Sequence, residues 1–293
     1  MKESIRVAAI NVESKPGETW SNLELIAEWA GNAASEGVEL ALFPELSITG
    51  FIPNHPTGDH EAWLREALTE VRMMAEPVEG GEAVRTLTAI AVQSKVWIAA
   101  GMIEDAGNLL HNTQVLAGPD GSIAWWRKLH IPMFETPFYN GGHGLEATET
   151  VLGRIGSNIC FDALIPESTR LLAVENVEVV LFPFAADPAP GTAWAWAEWA
   201  GTALRARCME NGVFGVACNY AGEVEFCGVR QAFPGGSMIL APNGEVLAER
   251  RPETVDAGML IADLSSEVLL NARAAPEYLY RFRRPELYGP LAM

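Results

Sequence analysis

The sequence predicts an α/β fold in which two sheets pack face to face with helices on their outer sides, an αββα sandwich. Helical and strand patterns alternate from one end of the chain to the other. The second half also repeats the first, because the apolar run 177–183 matches the run 38–44 and the turn 241–244 matches the turn 118–121. No linker rich in Pro, Gly and Ser separates the halves, so a single domain is predicted over residues 1–293.

The first helix and strand have clear boundary signals. Ser21 and Glu24 predict a capping box at the start of a helix, and Gly37 follows the apolar residues that recur at helical spacing. The run 38–43 then predicts a short buried strand, which Pro44 closes.

The next elements of the first half lead to Lys128. A helix is predicted over residues 82–94 and a strand over 96–100. The turn 118–121, Gly-Pro-Asp-Gly, folds one strand back on the next. The resulting hairpin ends at Lys128.

The second half follows the same order of elements. A strand-like segment ends at Cys160, and a helix is predicted to follow over 166–176. The remaining elements are a strand over 177–183, a helix over about 192–211, a strand over 213–217 and a hairpin turning at 241–244.

Composition excludes several classes of function. The chain has 20 basic and 38 acidic residues, a net charge of −18, which repels phosphate backbones and argues against a nucleic-acid partner. No apolar run is long enough to span a bilayer, and the amino-terminal segment lacks the features of a signal peptide. The four cysteines have no paired spacing, which favours a reduced, cytoplasmic setting without metal.

Three residues with complementary chemistry each stand where a hydrophobic run ends. Glu45 can act as a base, Lys128 as a cation and Cys160 as a nucleophile. Apolar neighbours on both sides of Glu45 imply partial burial, which suits a general base. Such a set can attack a carbonyl-like carbon through sulfur and release nitrogen.

The segments around these residues resemble the Glu-Lys-Cys set of the nitrilase, or carbon–nitrogen hydrolase, superfamily. The resemblance rests on Phe-Pro-Glu at 43–45, Arg-Lys-Leu-His-Ile-Pro at 127–132, and Cys-Phe-Asp at 160–162 followed by Pro-Glu at 166–167. It implies a four-layer αββα fold of the nitrilase-like type and a hydrolase of non-peptide C–N bonds that needs no cofactor.

The resemblance also implies a role for each residue. Glu45 takes the proton of Cys160, whose sulfur forms a thioester with the substrate. Lys128 and the backbone N–H of Phe161, which replaces the tyrosine of many relatives, stabilise the oxyanion. Glu135 is predicted to be the second glutamate that many members carry downstream of the lysine.

Two other assignments remain open for neighbouring residues. Glu146 or Glu149 can be mistaken for the second glutamate, because its spacing from the lysine varies in the family. His130 can alternatively act as base to Cys160 in a papain-like pair, although no cysteine-protease signature surrounds that cysteine.

The substrate expected from the resemblance is a neutral aliphatic or aromatic amide. An aspartate at position 162 favours an amide or ureido group over a nitrile. The apolar residues 163–165 stand where carbamoyl-amino-acid hydrolases carry arginines, so an anionic substrate is disfavoured. The residues predicted to contact substrate are Phe161, Asp162, Phe138, Phe184 and Trp194.

Other readings of the function stay open. A nitrilase or an N-carbamoyl amine hydrolase uses the same residues. A protein of another class, a catalytically idle binding module with this fold, is disfavoured because all three reactive residues are present.

Assembly is predicted from the resemblance and from the apolar residues near the nucleophile. The family pairs through the helices predicted at 166–176 and 192–211, which favours a homodimer or a dimer-based oligomer. The second helix carries Trp194 and two further tryptophans, which core packing explains equally well. The arginine-rich tail at about 271–293 can lie in the interface or fold back on its own chain.

Overall fold

The computed structural model describes residues 1–53, 59–186, 201–251 and 256–292, and most strands in these ranges form two six-stranded sheets. The first sheet contains, in spatial order, β14 (Gly258–Ser265), β1 (Ser4–Asn11), β2 (Leu40–Leu42), β3 (Trp97–Asp105), β4 (Leu110–Ala117) and β5 (Ile123–Arg127). The second sheet contains β6 (Thr148–Thr150), β7 (Gly153–Ser157), β8 (Val179–Pro183), β9 (Phe214–Cys218), β12 (Ser237–Leu240) and β13 (Val246–Arg250).

The two sheets share one plan, which confirms the repeat read from the sequence. Three central strands run parallel in each sheet, β1–β2–β3 in the first and β7–β8–β9 in the second. Two antiparallel strands follow on one side, β4–β5 and β12–β13. One antiparallel strand closes the other side, β14 and β6.

Helices cover the outer faces of the sheets, and a small separate hairpin completes the described elements. The hairpin consists of β10 (Ala221–Phe226) and β11 (Val229–Pro234). The helices are α1 (Thr19–Ser35), α2 (His60–Met74), α3 (Glu82–Ser94), α4 (Pro166–Val174), α5 (Gly201–Asn211) and α6 (Ser266–Ala274). None of the described helices is long and apolar enough to cross a membrane.

The side chains of each central strand point alternately to its two faces, and this alternation explains the four layers. In β1, Ile5 and Val7 point into the core between the sheets, whereas Ala8 and Ile10 belong to the cluster beneath α1 and α3. Because successive side chains leave opposite faces of a strand, a strand buried on both faces reads as a continuous apolar run. The αββα sandwich predicted from the sequence is therefore confirmed.

Some predicted boundaries hold and others do not. The helix over 82–94 has the bounds predicted for it. The prediction of a capping box at Ser21 and Glu24 was wrong, because α1 begins at Thr19 and its N-cap residue, Glu18, makes no side-chain hydrogen bond to the helix. Asn22 anchors this end instead, because its side chain bonds to backbone groups of the preceding loop. The helix predicted at 192–211 is described only from Gly201 onward.

The tail is folded back along its own chain in the described residues. The Arg273 guanidinium donates to the backbone carbonyls of Gly212 and Val177. The Tyr278 hydroxyl donates to the Asn211 carbonyl at the end of α5. These contacts fix the tail against the second sheet and its helix.

Candidate active site

Glu45 lies just beyond the end of β2 and is fully buried. Its Oε1 atom accepts hydrogen bonds from Lys128 Nζ and Asn112 Nδ2, both at 2.7 Å. Its Oε2 atom accepts from the backbone N–H of Ala185 at 2.9 Å. Three donors from three separate segments therefore orient one carboxylate.

Lys128 is the first residue after β5, and its side chain is fully buried between two carboxylates. Its ammonium lies 2.7 Å from Glu45 Oε1 and 2.7 and 2.9 Å from the two oxygens of Glu135. Burial lowers the pKa of Lys128, but the opposing charges of Glu135, Glu45 and Cys160 raise it well above its usual value. Lys128 therefore stays charged.

Glu135 lies in the turn that follows Lys128 and is also buried. The backbone N–H groups of Phe138 and Tyr139 donate to its carbonyl, so the turn is locally closed. Burial raises the pKa of the Glu135 carboxyl to about 7, against the lowering effect of Lys128. The structure thus places Glu135 at the lysine.

Neither of the other two candidate glutamates takes this position in the described structure. Glu146 accepts through its backbone carbonyl from the Trp126 indole. Glu149 lies on the edge strand β6, opposite Arg154.

Cys160 follows β7 and opens a 3₁₀ turn over Cys160–Leu164. Its φ of 49° places a non-glycine residue in the left-handed region, a strained conformation found at functional sites. Burial and the charge of Glu45 raise the pKa of the thiol well above its usual value, while Lys128 and the Ala185 N–H lower it. The resting group is therefore a thiol that needs a base.

The two residues after Cys160, Phe161 and Asp162, differ in what they contact. No described residue accepts from the Phe161 backbone N–H, which leaves it available at the start of the turn. Asp162 was predicted to contact substrate, but its carboxylate is fully buried and accepts from the N–H groups of Leu129 and His130 and from the His130 ring. In the structure Asp162 therefore supports the segment after Lys128, and its contact with substrate stays a prediction.

The predicted aromatic contacts are placed in two different clusters. Phe138 packs against Trp63 and Tyr139 in an aromatic cluster beside the site, between α2 and the β10–β11 hairpin. Phe184 is buried with the core residues of the two sheets. Trp194 lies outside the described residues.

Two donors to Glu45 were not predicted from the sequence. Asn112 lies on β4 in a run of four consecutive polar residues, all buried. Such a run in a strand is unusual, and it was a signal that polar groups converge there. The Ala185 N–H gives no such signal, because a backbone group 140 residues from Glu45 leaves no trace in the sequence pattern.

Tyr139 was also missed. Its hydroxyl is buried without a hydrogen-bond partner among the described residues. Burial raises the pKa of the Tyr139 hydroxyl well above its usual value, so the hydroxyl is neutral near the charged groups.

The described part of the chain contains no group of three or more metal-ligating side chains. The site brings together the Cys160 thiol, the buried Glu45 carboxylate that can take its proton, and the fixed Lys128 ammonium. The backbone N–H of Phe161 lies at the start of the same turn as Cys160. This arrangement can perform nucleophilic attack on an amide-like carbon with stabilisation of the oxyanion.

Comparisons with known proteins identify the family and agree with this fold. A family model described as carbon–nitrogen hydrolase matches residues 6–274. A nitrilase of Pyrococcus abyssi is 29% identical over 97% of this chain and 99% of its own. An (R)-stereoselective amidase of a Pseudomonas species is 28% identical over 97% of this chain and 93% of its own.

Solved structures show the same fold. A carbon–nitrogen hydrolase of Helicobacter pylori superposes with a TM-score of 0.80 at 22% identity, over 99% of this chain and 98% of that one. An amidase of a Nesterenkonia species gives a TM-score of 0.75 at 24% identity, over 99% and 98%. The chain belongs to the carbon–nitrogen hydrolase family and is an enzyme of that class.

Proposed function

We propose that this chain is an amidase that releases ammonia from a neutral aliphatic or aromatic amide through a thioester on Cys160. The observation that carries the proposal is the single buried network of Lys128, Glu45 and Glu135. Lys128 joins the two carboxylates, and Glu45 also accepts a hydrogen bond from the Ala185 N–H. The same N–H group lowers the pKa of the Cys160 thiol.

Acylation begins with proton transfer from Cys160 Sγ to Glu45. The sulfur forms a bond to the amide carbon as the carbonyl electron pair moves onto oxygen, near Lys128 and the Phe161 N–H. The C–N bond then breaks, and Glu45 returns its proton to the leaving nitrogen, which departs as ammonia.

Deacylation uses the same base a second time. Glu45 takes a proton from water as the water oxygen attacks the thioester carbon. The C–S bond breaks, the proton passes to Cys160 sulfur, and the carboxylic acid leaves. The raised pKa of the Cys160 thiol requires this cycle, because little thiolate forms without the base.

The neutral, apolar character of the substrate rests on the surroundings of the site. Beside Glu135, Phe138 belongs to the aromatic cluster that also contains Trp63 and Tyr220. Residues 163–165 supply no cation for a substrate carboxylate.

A panel of amides, nitriles and carbamoyl compounds, assayed for ammonia, tests the substrate class. We expect turnover of aliphatic or aromatic amides and its loss in Cys160→Ala. Cys227→Ala is the matched control, because this other partly exposed cysteine lies at the β10–β11 turn. Equal turnover in Cys160→Ala and Cys227→Ala contradicts the mechanism.

The second candidate is a nitrilase, favoured by the likeness of this chain to the nitrilase of Pyrococcus abyssi. Preferential turnover of nitriles in the same panel replaces the amidase proposal with this one. A carbamoylase is recognised in the panel by release of ammonia and carbon dioxide from carbamoyl compounds.

An idle binding module is the alternative outside enzyme chemistry. An activated acyl ester distinguishes it from an enzyme, since an enzyme acylates Cys160 stoichiometrically and faster than Cys227. Equal labelling of the two cysteines supports the idle module.

The enzyme is proposed to act as a homodimer or dimer-based oligomer in the cytoplasm. Large apolar side chains are exposed on α4, α5 and the tail, among them Leu171, Met209, Phe282 and Leu287. All four cysteines are free, which suits a reducing compartment. Light scattering that shows only a 31.7 kDa species at micromolar concentration contradicts the assembly.

A further inference from the structure

The reactive groups of this site are divided between the two sheets. Glu45 and Lys128 follow strands β2 and β5 of the first sheet, whereas Cys160 follows strand β7 of the second. The distance between nucleophile and cation therefore depends on how the sheets sit against each other at this end. Apolar packing between the sheets is non-directional, whereas a hydrogen bond across the gap fixes both a distance and a direction.

Two buried carboxylates cross the gap in opposite directions. Glu45 reaches from the first sheet to the Ala185 N–H, just beyond β8 of the second sheet. Asp162 reaches from the turn after β7 to the first sheet, where Oδ2 accepts from Leu129 N–H at 3.0 Å. Its Oδ1 accepts from His130 N–H and His130 Nδ1, both at 2.8 Å.

We propose that Asp162 is a positioning residue that fixes Cys160 relative to Lys128 by tying the nucleophile turn to the segment after the lysine. Asp162 is two residues from Cys160, and Leu129 is one residue from Lys128. The connection between the two reactive side chains therefore consists of two very short lengths of backbone and one carboxylate. It rests on the proposed function, in which Lys128 stabilises the oxyanion formed at Cys160.

The remaining contacts of these segments show why a carboxylate is needed. Lys128 N–H donates to Asn112 O within the first sheet, and the Asp162 N–H donates to Ile159 O within its own turn. These bonds fix each segment to its own side only. The Asp162 side chain is the described polar group that joins the two segments across the gap, and a carboxylate alone accepts all three donors.

His130 contributes a third donor to the tie and makes it charge-assisted when protonated. Its hydrogen bond to Asp162 raises the pKa of the His130 imidazole. The Ser168 hydroxyl of α4 lies 3.3 Å from the same ring nitrogen. Because its Nδ1 atom is engaged by Asp162, the tie accounts for His130 without a role as base to Cys160.

The expected effect of losing the tie is kinetic. Asp162→Asn keeps the shape of the side chain but turns an NH₂ group toward backbone N–H donors, which separates the two segments. A misplacement of about 1 Å costs roughly 10²-fold in rate. We expect kcat to fall by about 10²-fold with KM changed less than about threefold, because the pocket for the substrate is untouched.

A matched control separates positioning from stability. Glu76 also accepts two backbone N–H groups, those of Glu82 and Ala83 at the start of α3, and none of its described hydrogen bonds reaches Glu45, Lys128, Glu135 or Cys160. Glu76→Gln is expected to lower the urea midpoint as Asp162→Asn does, yet to keep wild-type kcat. The rate of Cys160 alkylation by iodoacetamide is measured for both variants.

The alkylation rate does not depend on the identity of the substrate, so it distinguishes failure of this inference from failure of the proposed function. A wild-type chain that turns over no amide contradicts the proposed function, while a slowed alkylation in Asp162→Asn still supports the tie. Folded Asp162→Asn with wild-type kcat and alkylation overturns the inference. A loss confined to KM overturns it as well.

A second variant covers the case in which Asp162→Asn does not fold. His130→Leu removes only the ring donor and leaves both backbone bonds to Asp162 in place. We expect this folded variant to lose roughly five- to tenfold in kcat, the cost of one hydrogen bond of about 1 kcal/mol, with KM nearly unchanged. Unchanged kcat in folded His130→Leu overturns the inference.

Discussion

Replacing Lys128 by methionine separates the two roles of this buried ammonium. Met fills a similar volume without charge, so the change leaves Glu45 and Glu135 facing each other in a buried site. Removing one partner of a buried ion pair costs about 3–5 kcal/mol, because the remaining charge is desolvated and unpaired. We expect the free energy of unfolding at neutral pH to fall by about that amount.

The activity of Lys128→Met is expected to fall further than stability alone explains. Loss of one oxyanion donor costs about 10²- to 10³-fold in kcat. Lys128 also lowers the pKa of the Cys160 thiol, so its removal makes the proton harder to take. The assay is ammonia release under conditions in which circular dichroism shows the variant to be folded.

A double variant tests whether this reasoning is correct. Lys128→Met combined with Glu135→Gln removes one of the two facing charges, so it should regain about 1–3 kcal/mol over the single variant while remaining inactive. The reasoning is refuted if the double variant is no more stable than Lys128→Met. It is also refuted if Lys128→Met keeps more than about a tenth of wild-type kcat.

Three further outcomes follow from the same network. Glu45→Gln should lower kcat by about 10²- to 10⁴-fold, because the thiol loses the base that takes its proton in each turnover; kcat above about a tenth of the wild-type value in the folded variant contradicts this. Asn112→Leu should lower kcat about fivefold, since Glu45 Oε1 loses one of two donors and with it a hydrogen bond of about 1 kcal/mol that orients the carboxylate. The pKa of Glu135 is raised from 4.5 to about 7 in the folded chain, so between these pH values the folded chain holds a proton that the unfolded chain has released. The free energy of unfolding, measured by urea denaturation, should therefore fall as pH rises through this window. Glu135→Gln should abolish that slope, and an identical slope in both proteins contradicts the assignment.

The local patterns of the sequence predicted the parts of the fold that short-range physics determines. The helix over 82–94 is amphipathic with clear ends, and the strand run before Glu45 is apolar on both faces. The order of elements in the two halves predicted two sheets of the same plan.

Elements that depend on distant partners were missed or misplaced. Strand β14 pairs with β1 from Ser4 opposite Ser265 to Asn11 opposite Gly258, and nothing near residue 258 indicates that partner. Helix α2 was missed although Asp59 caps it by accepting from the Ala62 N–H, a signal that was available.

The candidate site divides in the same way. The resemblance of short segments predicted Glu45, Lys128, Cys160 and Glu135 as a group, and the structure places them together. The support of Asp162 for the Lys128 segment escaped prediction because its donors lie 32 and 33 residues away. Local context shows the type of a residue but not which backbone groups approach it.

The central claim is a thioester on Cys160 that both acylation and hydrolysis share. Partitioning with hydroxylamine tests it most directly, because hydroxylamine captures an acyl-enzyme as a hydroxamate in competition with water. An amide and an ester of the same acyl group are each turned over by the full chain at several hydroxylamine concentrations, and the hydroxamate-to-acid ratio is measured.

The mechanism predicts the same ratio from both substrates at every hydroxylamine concentration, since both pass through one acyl group on Cys160 sulfur. It also predicts that Cys160→Ala forms neither product. Ratios that differ between the amide and the ester, or hydroxamate formed by folded Cys160→Ala, contradict the thioester.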